Sequence, residues 1–275
     1  MMGPPLALRL ERNACRREVS AGRAAGRVPA SFAVAREIAV FTEARAYEVA
    51  WHRHPAWKLV LPLGGRVRVG ESAGAGVLVP PQYAHVCAAS PAFVAVFVEP
   101  WCLRADPTAP TWLDGRTVRR LLDAMSGGGA GGATDMEALR AEVASFAGLR
   151  TGVDPRVPYA VRACAQAARI DAVAAELGLS PARLRALVAA EVGIPLATLR
   201  QWGRLRAAFG SLVGGGQAGG AGGVGDVGGA RGGVGVERGK SIAEAAAEAG
   251  FADQAHLTRA ARRFIGRTPG SLDRR

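Results

Sequence analysis

Three of the four histidines in this 275-residue chain fall between positions 52 and 85. His52-x-His54 stands just ahead of the apolar run Lys58–Leu63, and His85 closes the stretch VLVPPQYAH. Neutral imidazoles pointing inward from neighbouring strands bind a divalent metal. The same rings can instead line a cavity for a small ligand without metal, or merely satisfy hydrogen bonds, and the residues leave all three readings open. Catalysis needs a complete set of ligands with an acid or base beside it. Glu99 is the only nearby carboxylate to nominate for that role.

Positioning these histidines requires strands. Short apolar stretches broken by Gly and Pro occupy Ser31–Val40, Lys58–Leu63, Arg66–Val69, Gly76–Val79 and Phe93–Val98, and their length and breakers read as β-strands over 31–111. From Thr117 the period becomes helical, with Val118, Leu121, Leu122 and Met125 on one stripe. A second helix is predicted around Asp135–Gly148. Residues 112–153 thus form a helical region that suits either dimerisation or the chain's own core. Asp154–Pro155 then opens a domain that is helical to residue 275. Two segments read as non-globular: the Arg-, Ala- and Gly-rich leader 1–30, and the Gly-rich stretch 213–239, which has too few bulky side chains to offset the entropy of ordering.

Charge and cysteines narrow the class. The net charge of +12 favours an anionic partner, nucleic acid or a membrane surface. Its excess divides evenly about residue 163, so charge alone does not say which half meets the polyanion. Cys15, Cys87, Cys102 and Cys164 form no C-x-x-C pair, which argues against a zinc ribbon or redox dithiol and for a reduced, cytoplasmic setting. No apolar run reaches the ~20 residues of a membrane span, and the leader lacks the apolar core of a signal peptide.

The strongest pattern is a repeat. Ile170, Val173, Ala174 and Leu177 form an apolar helical face closed by Gly178; 72 residues on, Ile242, Ala245, Ala246 and Ala249 do the same before Gly250. Each glycine is followed by an apolar residue, then a helix cap (Ser180 with Pro181, or Asp253), then a second amphipathic helix ended by Gly193 or Gly266. Such a pair packs at a steep angle, and its second helix has the width of the major groove. The outward residues of the first copy are Ala182, Arg183, Arg185, Ala186 and Ala189. Those of the second are Gln254, Ala255, His256, Thr258, Arg259, Arg262 and Arg263, a set richer in groups that bond base edges and phosphates.

SIAEAAAEAGFADQAHLTRAARRFIGRTPGSLDRR, residues 241–275, closely resembles the C-terminal signature of the AraC family of transcription regulators: the Ile–Ala start, the Ala–Gly–Phe turn, Asp–Gln–x–His–Leu–x–Arg, and Phe–x–Gly–x–x–Pro. Ala174–Trp202 resembles the same family's first unit. The resemblance implies a DNA-binding domain over 154–275 with two recognition helices in successive major-groove segments. Base-facing residues carried over by motif position are Ala182, Arg185 and Ala186, then Gln254, Ala255, His256, Thr258 and Arg259; Arg183 and Arg263 join them as DNA contacts on the outward faces. Two alanines at reading positions make the first helix a weak reader that depends on Arg185. The insert 213–239 lengthens a connection that is normally short. The His spacing resembles the cupin barrel, although Lys58 stands where a cupin carries Glu.

The expected architecture is therefore α+β: a cupin-like barrel over 31–111, helices, then an all-α domain with two helix-turn-helix units. The expected function is a sequence-specific DNA-binding transcription regulator and not an enzyme. A small-molecule effector in the N-terminal domain would control it, with homodimerisation and RNA polymerase contact as further partners. No cofactor is expected beyond a divalent metal at His52, His54 and His85. The alternatives are a metal-dependent cupin enzyme fused to the helical module, and a module that its insert has turned into a non-binder.

Overall fold

The computed structural model describes residues 31–35, 37–43, 47–90, 92–126, 134–166, 168–213 and 240–271. The expected leader 1–30 and nearly all of the Gly-rich insert lie outside them. Strands β1 (Ser31–Ala35), β2 (Ile38–Glu43), β3 (Tyr47–His52), β4 (Trp57–Pro62), β5 (Arg66–Val69), β6 (Ser72–Gly74), β7 (Gly76–Val79), β8 (His85–Ser90), β9 (Phe93–Val98) and β10 (Thr111–Leu113) form two antiparallel sheets. One runs β1-β2-β9-β4-β7-β10 and the other β3-β8-β5-β6. The single stretch expected at Ser31–Val40 is a hairpin, with Ala35 opposite Ile38. Four strands were not expected, β3, β6, β8 and β10, and two of them, β3 and β8, carry His52 and His85.

Strands β2, β4 and β9 are buried at every position, so both faces of the larger sheet are covered. Alternation sorts the side chains. Trp57, Leu59 and Leu61 of β4 and Val94, Val96 and Val98 of β9 face helices α1 (Gly115–Ser126) and α2 (Met136–Ala147), where they meet Val118, Leu121, Leu139 and Val143. The Val118–Met125 stripe therefore covers the chain's own sheet. The opposite parity, Val60, Phe93, Ala95 and Phe97, lines the barrel interior. Lys58 shares that parity and is buried.

Helices α3 (Arg156–Ala165), α4 (Ile170–Glu176), α5 (Pro181–Val192) and α6 (Leu196–Val213) follow, then α7 (Ile242–Glu248), α8 (Gln254–Ile265) and a 3-10 turn at Pro269–Ser271. Val161, Val173, Leu184, Val188 and Leu199 build one core among α3 to α6. Leu257, Ala260, Ala261 and Phe264 of α8 belong to a different core, continuous with the barrel interior through Trp202, Leu205 and Phe209 of α6. The Trp202 ring lies 5.1 Å from that of Phe97 and 6.1 Å from that of Phe264, which joins barrel, connecting helix and second unit in one aromatic row. Among the described residues no helix is long and apolar enough to cross a membrane.

Candidate nucleic-acid interface and histidine site

The repeat read in the sequence is a repeat of backbone bonds. Leu179 N–H donates to Ala174 O at 2.8 Å, and Phe251 N–H to Ala246 O at 2.9 Å; Gly178 N–H donates to Ala175 O and Gly250 N–H to Ala247 O, both at 3.0 Å. These bonds close the two tight turns identically. Each second helix is then capped from its own sequence. Ser180 Oγ accepts from Arg183 N–H at 3.2 Å with Pro181 at the first turn, and Asp253 Oδ1 accepts from His256 N–H at 2.6 Å. Helix α7 opens on a reciprocal Ser241–Glu244 capping box.

Caps and buried stripes together dictate what faces out. With Leu184 and Val188 inward, α5 exposes Ala182, Arg183, Arg185, Ala186 and Ala189. With Leu257, Ala260, Ala261 and Phe264 inward, α8 exposes Gln254, Ala255, Arg259, Arg262 and Arg263. His256 and Thr258 are only half-buried. The His256 ring stands edge-on to Phe251 at 5.1 Å, and its Nε2 lies 3.4 Å from Gln201 Nε2 on α6. His256 thus faces the cleft between the two units rather than the outer surface.

That cleft was not read from the sequence. A groove of about 460 Å³ runs between the units, lined by Arg185 and Ala189 of α5, Arg200, Gln201 and Arg204 of α6, and Phe251 and His256. Arg200 and Arg204 stand four apart on α6, a spacing that puts them on one face and was the available signal. Arg204 Nη1 donates to Gly250 O at 2.8 Å, which ties the connecting helix to the second turn. Burial, with Arg200 beside it, lowers the Arg204 pKa. Among the described residues Arg183, Arg185, Arg200, Arg259 and Arg262 have no carboxylate partner. Guanidinium groups without a carboxylate partner are the kind that neutralise phosphates.

The histidines come together inside the barrel. His52 ends β3, His85 begins β8 directly opposite it, and His54 lies in the short link to β4. All three are buried, and their ligating nitrogens lie within 4.8 Å of one another. Each Nδ1 sits on a backbone carbonyl: Ala50 O at 2.8 Å from His52, Ala56 O at 2.6 Å from His54, and Tyr83 O at 2.9 Å from His85. A carbonyl only accepts, so each Nδ1 carries the hydrogen and each Nε2 turns a lone pair inward. All three Nε2 atoms are buried without a hydrogen-bond partner. Burial, then Lys58, lowers the pKa of His52 to about 2 and of His85 to about 4; burial, then His85, holds His54 well below its usual value. Neutral rings with carbonyl-fixed tautomers and orphaned Nε2 atoms fit a divalent transition metal.

Among the described residues no carboxylate joins the three histidines. Lys58 points into the same interior with Nζ 5.8 Å from the Phe97 ring centre, and burial lowers its pKa. Glu99, the carboxylate nominated from the sequence, is buried in an ion pair with Arg206 of α6. A small cavity of about 50 Å³ lies between the interior and the helices, lined among others by Val49, Lys58, Phe97, Trp202, Ile265 and Arg267.

Neither a described protein family nor a curated protein matches the sequence. Solved structures do match the fold. A substituted variant of ToxT from Vibrio cholerae, in its apo form, is 10% identical with a TM-score of 0.52, over 86% of this chain and 96% of that one. ToxT from the same organism bound to (E)-4-(8-methylnaphthalen-1-yl)but-3-enoic acid is 10% identical with a TM-score of 0.51, over 88% and 98%. A likeness to the AraC-like transcriptional activator CuxR, 13% identical over 62% and 77%, has a TM-score of 0.31, too low to bear on the fold. The α+β architecture, barrel then helical domain, is thus the fold of ToxT across nearly the whole of both chains.

Proposed function

We propose that this chain is a sequence-specific DNA-binding regulator of transcription, working in the cytoplasm, whose N-terminal barrel senses an effector. The observation that carries the reading is the doubled unit: two helix-turn-helices with matching turn bonds, each presenting a capped helix whose outer face holds unpaired arginines. Phosphate neutralisation by Arg183, Arg185, Arg200, Arg259 and Arg262 supplies affinity without sequence information. Discrimination rests on Gln254 and Arg259, whose side chains pair with adenine and guanine edges. The first helix, with Ala182 and Ala186 at reading positions, contributes mainly through Arg185. The domain boundaries we adopt are 31–111 for the barrel, 112–153 for the helices that cover its sheet, and 154–275 for DNA binding.

Effector control follows from where the barrel closes. Trp202, Leu205 and Phe209 of α6 and Ile265 of α8 line its interior, so a ligand bound there would bias how these helices sit, which is a shift between populations. ToxT has been solved with an apolar carboxylic acid. Apolar walls beside Lys58, which has no hydrogen bond or ion pair among the described residues, would suit an acid of that kind once the 50 Å³ space opens. The cupin-enzyme alternative would require an acid or base at the triad, and Glu99 is already paired.

Selection from a random duplex library tests the reading. The expected product is one enriched sequence with two elements about 10 bp apart and affinity that falls steeply with salt. A library that emerges without enrichment would overturn it.

A further inference from the structure

We propose that metal held by His52, His54 and His85 controls the second recognition helix through the end of β3. This rests on reading α8 as that helix and deepens it by naming a second input, a divalent transition metal ion at the histidines rather than an acid beside Lys58, and its route.

The route is a set of direct contacts. The carbonyl of Ala50 accepts the hydrogen of His52 Nδ1 and so aims His52 Nε2 at the other two rings. Gly266, the left-handed cap that ends α8, is pressed onto that same carbonyl: a Cβ there would stand 2.5 Å from Ala50 O and 3.0 Å from His52 Nδ1. Between the two chelating histidines, Arg53 N–H donates to Arg263 O in the last turn of α8 at 3.3 Å. One residue past the cap, Arg267 forms a buried ion pair with Glu43 of β2 at 2.8 Å. The segment that carries His52 and His54 is thereby bonded to the last turn of the helix carrying Gln254 and Arg259. The corresponding cap of the first unit does not touch the histidine-bearing strand: nothing lies within 4 Å of a Cβ built on Gly193, and the last turn of α5 is held instead by Arg150, whose Nη2 donates to Glu191 O at 2.7 Å.

Three coordinate bonds hold the rings far more rigidly than single Nδ1–H···O bonds do. Loading the site therefore restrains residues 50–54, and with them the last turn of α8. Binding and restraint are reciprocal, so an α8 held by DNA alters metal affinity by the same factor.

The experiment uses the full chain, stripped of metal and titrated with Co2+, with amide hydrogen exchange followed over 262–267 and, as internal control, 189–193. The expected result is one Co2+ per chain with the visible absorption of nitrogen-ligated cobalt. Exchange at 262–267 slows by roughly fivefold or more, exchange at 189–193 does not change, and a chelator reverses the effect. H85A should show neither binding nor slowing; if that variant does not fold, chelator reversal in the unaltered protein carries the test. Absence of stoichiometric Co2+ overturns the metal site. Stoichiometric Co2+ with unchanged exchange at 262–267 overturns the coupling and leaves the site. Slowed exchange in a chain that selects no DNA sequence sustains the coupling and overturns the regulator reading.

Discussion

Gly193 and Gly266 end the two recognition helices in the same left-handed conformation, at φ +74° and +68°, yet they face different surroundings. Replacing either by alanine forces a Cβ into the left-handed region, at about 1–2 kcal/mol. At Gly193 that is the whole penalty, because the built Cβ meets nothing within 4 Å. At Gly266 the built Cβ stands 2.3 Å from Val49 Cγ1 and 2.5 Å from Ala50 O. Carbon contacts are favourable only near 3.5–4.0 Å, and Ala50 O is backbone that cannot rotate away. Overpacking of this kind adds about 1–3 kcal/mol, so G266A should lose about 2–5 kcal/mol in all against about 1–2 for G193A. The cheapest relief is for α8 to leave β3. Denaturant midpoints would measure the difference, and amide exchange over 49–54 should rise in G266A and stay put in G193A. Equal destabilisation by the two substitutions, with exchange at 49–54 unchanged in both, would refute the claim that α8 is docked on the histidine-bearing strand.

Other outcomes follow from the same contacts. R259A should lose about 1–3 kcal/mol of binding to the selected sequence while non-specific affinity changes little, as read by competition between selected and scrambled duplexes. K58M removes a cation from the interior that holds the three histidines, and Co2+ affinity measured by absorption titration should tighten by about tenfold, or about 1.4 kcal/mol. In the metal-free protein the native state keeps His52 and His85 neutral down to about pH 2 and 4, chiefly by burial, whereas the unfolded chain takes up protons near 6.5. Stability is therefore flat above that range and falls below it, by roughly 2 kcal/mol per histidine at pH 5; H85Q should show a shallower fall between pH 7.5 and 5 in denaturant midpoints. F264A empties the junction of second unit and barrel, since Phe264 is 1% exposed, and should lose about 3–5 kcal/mol in a denaturant titration.

What the sequence made legible is what local physics dictates. The caps Ser180 and Asp253, the turn glycines and the helical stripes all declare themselves within a dozen residues, and the elements stand where those signals lie. The strand β8 was missed because HVCAAS is half polar or small, whereas YEVAWH did carry a strand signal, Tyr47, Val49 and Trp51 at alternate positions, that was passed over. Their burial comes from the opposite sheet and from α8, neither of which is local. The same reason hid the inward turn of His256. Motif position put it among base-facing residues, but Phe251 and Gln201 draw it toward the cleft. Arg200 and Arg204 were passed over because their role depends on a groove that exists only once two units pack.

The connection between the units is where sequence and packing pull in different directions. The 213–239 insert argues against a fixed phase between the recognition helices, since a long Gly-rich link imposes little geometry of its own. The structure places that constraint elsewhere, on α6, which holds the second unit by Arg204 on Gly250 O, by Ser211 on Glu248 at 2.9 Å, and by Trp202 against Phe264. The same helix carries Leu199 in the core of the first unit and Leu205 in that of the barrel. Spacing is thus set by contacts rather than by the chain, and contacts can be redrawn by an effector where a short covalent link cannot. The unit that follows the insert in the sequence is also the one docked on the barrel and the one bearing Gln254 and Arg259. On the proposed function, this arrangement would hold the first helix constant and place the helix bearing Gln254 and Arg259 under the control of what the barrel holds.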